Sequence, residues 1–108
     1  MTVNNLVERL DLTPLCVPSP DREIDGVYIG DLLSWVMGKA RENNVWITIM
    51  SNINVIAVAS LTDVSCIILS EGVVLDDEVL SVAKQKSINV LSTQKSTYEI
   101  VANLSDIL

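Results

Sequence analysis

The stretch from Asn43 to Thr62 contains no charged residue. Its first half, Val45 to Met50, is mostly β-branched or aromatic and has apolar residues on both alternating faces, which is typical of a strand covered on two sides. Its second half, Ile53 to Leu61, is apolar almost all round when wound as a helix, so we expect a helix buried on more than one side. The polar pair Ser51-Asn52 separates the halves and suits a strand end and a helix cap. The stretch therefore predicts a buried strand, a short turn and a buried helix.

The rest of the chain repeats this alternation. Short apolar runs predict strands at 15–17, 27–29, 66–69 and 88–91, and periodic apolar positions predict helices that begin near Thr2, Asp31, Asp76 and Ser96. Ser96 and Glu99 match a capping box. The acidic segment 18–26 predicts a loop, which we expect to be the most mobile part. Alternating strands and helices predict a single compact α/β domain over residues 1–108, with a mainly parallel sheet flanked by helices.

The amino-acid composition limits the binding partners that such a domain can have. Seven basic against fourteen acidic residues give a net charge of −7, which argues against nucleic acid and against an anionic membrane surface. Asparagine and serine residues interrupt the uncharged stretch, so it does not predict a membrane span. The N-terminus lacks the pattern of a signal peptide. Cys16 and Cys66 each lie in an apolar run and suit reduced core thiols, so we expect a cytoplasmic protein.

The residues for common catalytic chemistries are missing. The chain has no histidine, its two cysteines are far apart in sequence, and it has no glycine-rich loop of the Walker type. We therefore predict no enzyme activity, no cofactor and no metal.

Polar residues follow each predicted parallel strand. The carboxyl ends of such strands meet at one edge, where ligands of open α/β sheets bind, and a helix N-terminus there can hold an anion without a basic side chain. This predicts a site for a small anion or nucleotide formed by Asp31, Ser51, Asn52, Asn54, Ser70, Glu71, Gly72 and Thr93. The alternative is that residues such as Asp31, Asn54 and Ser96 are only helix caps.

The apolar residues around the uncharged stretch suggest an interface. Aromatic and methionine side chains are enriched at interfaces, and the helices that flank a small sheet leave part of its apolar surface uncovered. A homodimer interface is predicted at Trp35, Trp46, Met50, Ile53 and Ile56. The alternative for each of them is the ordinary core.

Three segments resemble the DRTGG domain family: Gly26-Val-Tyr-Ile-Gly-Asp-Leu-Leu-Ser-Trp-Val-Met-Gly-Lys-Ala40, Val45-Trp-Ile-Thr-Ile49 and Asn54-Val-Ile-Ala-Val-Ala-Ser-Leu61. The similarity runs from about Gly26 to the C-terminus. It implies a compact α/β domain that commonly dimerises and that accompanies CBS domains in some pyrophosphatases and occurs in some phosphotransacetylases. Stand-alone members resemble the non-catalytic N-terminal part of HPr kinase and often accompany iron-only hydrogenase genes.

The chain departs from the family's motif. The motif has an Asp-Arg pair after the central strand and Thr-Gly-Gly after the next, whereas Ser51-Asn52 and Ser70-Glu71-Gly72 take those places here. The missing arginine removes the obvious phosphate-binding side chain. Two hypotheses result: a non-catalytic regulatory or ligand-sensing homodimer, or an interaction partner of a hydrogenase or redox complex that binds no small ligand.

Overall fold

The computed structural model describes residues 1–108 as five helices and five strands. The helices are α1 (Val3–Leu10), α2 (Leu33–Lys39), α3 (Ile53–Thr62), α4 (Asp77–Gln85) and α5 (Thr97–Ser105), and the strands are β1 (Thr13–Cys16), β2 (Val27–Ile29), β3 (Val45–Thr48), β4 (Cys66–Leu69) and β5 (Val90–Ser92). The predicted α/β fold is confirmed. None of the helices has the length and apolar character needed to cross a membrane.

The sheet has the strand order β1-β5-β4-β3-β2. Strands β2 to β5 are parallel and each pairs with the next in the chain, whereas β1 joins the far edge antiparallel to β5. The sequence predicted the parallel part, and the antiparallel edge strand makes the sheet mixed.

The helices cover the sheet on two faces. Helices α2, α3 and α4 connect consecutive parallel strands and pack on one face, with Trp46 and Ile67 of the sheet beneath them. Helices α1 and α5 pack on the other face, against Val45, Ile47 and Ile68. Alternate residues of β3 and β4 thus enter opposite cores, and both strands are buried throughout, as the central apolar runs predicted.

The helix ends follow the predicted caps in part. Thr2 and Ser96 form complete capping boxes with Asn5 and Glu99. The cap of α3 is Asn52, whose side chain accepts a hydrogen bond from the Asn54 backbone N–H at 2.9 Å, so Asn54 is not itself the cap. Asp76 precedes α4 without a side-chain cap.

The acidic segment 18–26 is hydrogen-bonded along its length. Arg22 donates from Nε and Nη2 to Asn43 Oδ1 at 3.1 and 3.0 Å and forms a 2.8 Å ion pair with Asp63. Asn89 exchanges two hydrogen bonds with the Ser19 backbone. This anchoring gives no support to the expectation of a mobile loop.

Candidate functional site

The carboxyl ends of the parallel strands lie side by side, as predicted. The parallel register pairs Ile29 with Ile47, Thr48 with Leu69 and Leu69 with Ser92. The polar residues that follow these strands therefore share one edge of the sheet, called the carboxyl edge below.

Asp31 links two strand ends and is not a helix cap. Its Oδ1 accepts hydrogen bonds from Thr48 Oγ1 at 2.8 Å and from the Ile49 backbone N–H at 3.0 Å. Leu32 takes the N-cap position of α2 and makes no side-chain cap bond. The prediction of an Asp31 cap is wrong because the carboxylate has better donors across the sheet than in its own helix.

The link continues from β3 to α5. The Ser70 backbone N–H donates to Thr48 O at 3.3 Å, and the hydroxyls of Ser70 and Thr97 share a 2.6 Å hydrogen bond. Ser70 is fully buried, and Thr48 is almost so. A chain of hydrogen bonds therefore runs from Asp31 through Thr48 and Ser70 to the first turn of α5.

The loops after β4 and β5 are joined. Connections leave these strands toward opposite faces, α4 on one side and α5 on the other, which in open sheets opens a crevice. Here Glu71 and Gly72 donate backbone bonds to Lys95 O and Thr93 O at 2.8 and 3.0 Å. Glu71 Oε2 accepts from the Thr97 backbone N–H at 2.9 Å. Ser70, Glu71, Gly72 and Thr93 thus lie together, but much of their hydrogen bonding is with one another and with α5.

Ser51, Asn52 and Asn54 lie at the start of α3. Asn52 and Asn54 are exposed and Ser51 is half-buried. Asn52 caps the helix, while Ser51 makes no side-chain hydrogen bond within the chain. These three residues are the accessible, uncharged polar part of the carboxyl edge.

The two cysteines lie in the cores and are poor nucleophiles. Burial raises the pKa of the Cys66 thiol from 9.0 to about 12, against the smaller lowering effects of the Ser65 hydrogen bond and the Arg22 charge. Burial also raises the pKa of Cys16, which Lys84 opposes. Both thiols stay protonated at neutral pH. The structure contains no group of three or more acidic, cysteine or histidine side chains placed to hold a metal ion.

The residues of the predicted dimer interface divide between core and surface. Trp46 and Ile56 are completely buried, and Trp46 Nε1 donates to Gly30 O at 2.9 Å. They have no surface to offer a second copy, which corrects their assignment to the interface. Trp35 and Ile53 are exposed and Met50 is half-buried. The ammonium of Lys39 lies 4.2 Å from the centre of the Trp35 ring.

The chain matches a known protein family. The family model described as the DRTGG domain matches residues 5–107. The chain belongs to the DRTGG domain family. This confirms the resemblance and extends it into the N-terminal segment, because β1 and α1 complete the same sheet and core. No curated protein sequence matches the chain.

Among solved structures, this DRTGG domain is similar to part of the regulatory region of a Clostridium perfringens pyrophosphatase. That structure contains CBS and DRTGG domains complexed with an activator, diadenosine tetraphosphate. The two share 16% sequence identity at a TM-score of 0.75, and the match covers 95% of this chain but 45% of that one. The likeness shows the fold.

Gly72, in the place of the motif's last glycine, has a backbone conformation that favours glycine. Gly72 has φ +72°, and a Cβ atom there would lie 2.6 Å from Gln94 Oε1. Glu71 before it also has a positive φ, of 64°. The backbone shape of the turn after β4 is therefore enough to account for glycine at this position.

Sequence reasoning missed two features of the DRTGG domain. Thr48 and Thr97 are central to the hydrogen-bond chain, and their only sequence signal is a hydroxyl at a strand end and a helix start. A groove of about 230 Å³ lies between β2 and α5, lined by Val27, Ile29, Val101, Leu104, Ser105 and Leu108. Local periodicity gave no signal for the groove, because it depends on β2 lying at the edge of the sheet.

Proposed function

We propose that this DRTGG domain is a non-catalytic regulatory module that senses a small anion or nucleotide at its carboxyl edge and acts as a cytoplasmic homodimer. The observation that carries the proposal is the hydrogen-bond chain from Asp31 to Thr97. It joins three strand ends to α5 and stands beside the accessible residues Ser51, Asn52 and Asn54. A ligand held at the start of α3 would act on a connected edge of the sheet.

The ligand's chemistry follows from the local charges. The start of α3 carries no acidic residue, and its helix dipole and the unbonded Ile53 backbone N–H favour an anion. Glu71 is tied to the Thr97 backbone and Asp31 to Thr48, so both carboxylates already have donors. The activator bound by the pyrophosphatase regulatory region is a dinucleoside polyphosphate, which supports placing nucleotides first among the probes.

The homodimer would use the surface around Trp35, Met50 and Ile53. Trp35 and Ile53 expose about half of their area, as does Leu32, three residues before Trp35. Aromatic and methionine side chains such as Trp35 and Met50 are enriched in interfaces. Two reduced thiols suit a cytoplasmic setting.

A thermal-shift panel tests the ligand. The purified domain is heated with adenine and guanine nucleotides, diadenosine tetraphosphate, phosphate and sulfate. A ligand at a hundred times its dissociation constant adds roughly 2.7 kcal/mol, which raises the midpoint by on the order of 4–8 °C. Ser51→Trp should abolish the shift, whereas Ser81→Trp on the exposed side of α4 should leave it unchanged. If no ligand raises the midpoint of unfolding, the residues of the carboxyl edge serve only as helix caps and as hydrogen-bonded links between elements.

A second candidate is a protein-interaction module, such as an assembly partner in a hydrogenase or other redox complex. The apolar groove between β2 and α5 favours it, because Val27, Ile29 and Leu108 remain 37–50% exposed there. A pull-down of hydrogenase subunits with the immobilised domain tests whether it belongs to such a complex. Retention of a subunit by the wild type and by Ser51→Trp alike would favour this function over ligand sensing.

A further inference from the structure

Strand β2 forms an open edge of the sheet. It pairs only with β3, and Val27 and Ile29 point to the same face, where α5 covers only part of the sheet. The two side chains are 37% and 47% exposed and form one wall of the apolar groove. Val101 and Leu104 of α5 form the other. The groove is therefore continuous with an unpaired strand edge.

The backbone of β2 can accept a further strand. Gly26 O accepts from Val45 N at 2.9 Å and Gly30 N donates to Ile47 O at 3.2 Å, so these positions face β3. Since backbone groups alternate sides along a strand, Val27 and Ile29 direct their N–H and C=O groups away from the sheet. The same two residues thus offer both outward backbone groups and apolar side chains beside the groove.

Both ends of this edge carry a carboxylate, and a nearby arginine, Arg41, is joined to the Asp25 end through its backbone bond to Asn44. No residue from Gly26 to Gly30 is charged, but exposed Asp25 and Asp31 stand at its two ends. Asp31 Oδ1 is bound to Thr48 and Ile49, so its Oδ2 is the oxygen left for a partner. Exposed Asp106 follows Ser105 of the groove. The Lys39 ammonium lies over Trp35, on the α2 side of the sheet. An uncharged strand edge is therefore framed by carboxylates in a chain of net charge −7.

We propose that β2 binds an extended segment of a partner protein that carries two apolar residues two positions apart, with lysine or arginine on both sides. The segment adds a strand to the sheet through the backbone groups of Val27 and Ile29. Its apolar side chains enter the groove, and its basic residues face Asp25 and Asp31. Added strands of this kind take their affinity from main-chain hydrogen bonds and their specificity from pockets for alternate side chains.

A second copy of the chain fits this edge less well. Antiparallel pairing of β2 with itself joins Val27 to Ile29 of the second copy when Tyr28 lies on the two-fold axis. That register also sets Asp25 opposite Asp31 of the second copy at both ends. Like charges directly opposite one another destabilise a strand pair, whereas a basic segment turns the same positions into attractive ones.

This inference rests on the second candidate function, for which it names the chemistry of the partner, and it does not need the nucleotide site. Ser51→Trp blocks the carboxyl edge and should leave binding at β2 intact. Failure of one proposal is therefore distinguishable from failure of the other.

Fluorescence anisotropy with a labelled, end-capped peptide Lys-Lys-Val-Thr-Val-Lys-Lys tests the proposal. We expect saturable binding that weakens as salt rises. Binding should be lost when the lysines become glutamates, when both valines become serines, or when the backbone nitrogens that face β2 are methylated. Equal binding of the glutamate-flanked peptide, or no binding of the basic one, overturns the proposal.

Variants of the chain provide the matched controls. Ile29→Ser should remove binding, and Asp25→Asn with Asp31→Asn should weaken it about three- to tenfold, as two exposed charge pairs allow. The double variant Asp77→Asn with Glu78→Gln removes two charges from α4 and should leave binding unchanged. If the wild type sediments as a dimer and Ile29→Ser as a monomer, a second copy of the chain occupies the β2 edge. That result would overturn the proposal that β2 binds a basic segment of a partner protein.

Discussion

The hydroxyl oxygens of Ser70 and Thr97 lie 2.6 Å apart and join the end of β4 to the first turn of α5. Ser70 is fully buried, so its hydroxyl has no water to replace this partner. Through this contact the hydrogen-bond chain that begins at Asp31 reaches α5, which packs on the face of the sheet opposite α2, α3 and α4.

The losses of stability from removing the two members of this pair should not be additive. Ser70→Ala and Thr97→Val should each lower the free energy of unfolding by about 1–2 kcal/mol, because the remaining hydroxyl loses its partner. In the double variant no hydroxyl is left unpaired, so its loss should be smaller than the sum. Urea denaturation of the four proteins measures the coupling, and strictly additive losses would contradict it.

Arg22 should anchor the segment 18–26 through its planar head group. Arg22→Ala should lose about 1.5–3 kcal/mol of stability, because it removes the bonds to Asn43 together with the ion pair to Asp63. Arg22→Lys should restore little, since an ammonium cannot reproduce the guanidinium fork. The exposed Arg9, which makes no ion pair, provides the control. An equal loss in Arg9→Ala, measured by urea denaturation, would point to net charge instead.

Cys66 should make stability fall at alkaline pH. The pKa of its thiol is about 12 in the folded chain against an ordinary 9.0, so the unfolded chain loses the proton first. The resulting stability is complete below pH 9 and decreases as pH rises toward 12, by up to about 1.4 kcal/mol per pH unit. The slope of unfolding free energy against pH should be shallower in Cys66→Ala. Identical slopes would show that another group titrates.

The two glycines at 72 and 38 should respond oppositely to alanine. Gly72→Ala should lower stability by about 1–3 kcal/mol, since it places a Cβ in a left-handed conformation and against Gln94. Gly38 lies in α2 with open space where a Cβ would be, so Gly38→Ala should add about 0.5–1 kcal/mol. Thermal unfolding of both variants measures these changes in stability. A lower midpoint in Gly38→Ala would contradict the prediction that the two glycines respond oppositely.

The sequence predicted features whose cause lies within one element. The buried strand at Val45, the apolar helix after Asn52 and the capping box of Ser96 and Glu99 all depend on neighbours a few residues away. Alternation of strands and helices was enough to predict the parallel sheet.

Features that depend on strand order could not be read from the chain. Asp31 seemed a helix cap because its partner Thr48 lies in another strand, 17 residues further on. Trp46 seemed a surface anchor because nothing local shows that Gly30 O would take its indole N–H. The groove exists only because β2 is an edge strand, which local periodicity does not specify.

The sheet order also has a consequence for the route by which the chain folds. Each of the strands β2 to β5 pairs with its neighbour in sequence, so these pairings close loops of modest length. Thr13 of β1 must instead find Ser92, with most of the polypeptide between them. Closing that large loop before the other strands have assembled carries a high entropic penalty, so we expect β1 and α1 to dock last. The N-terminal segment up to Cys16 would then be the part of a newly made chain that stays undocked for longest.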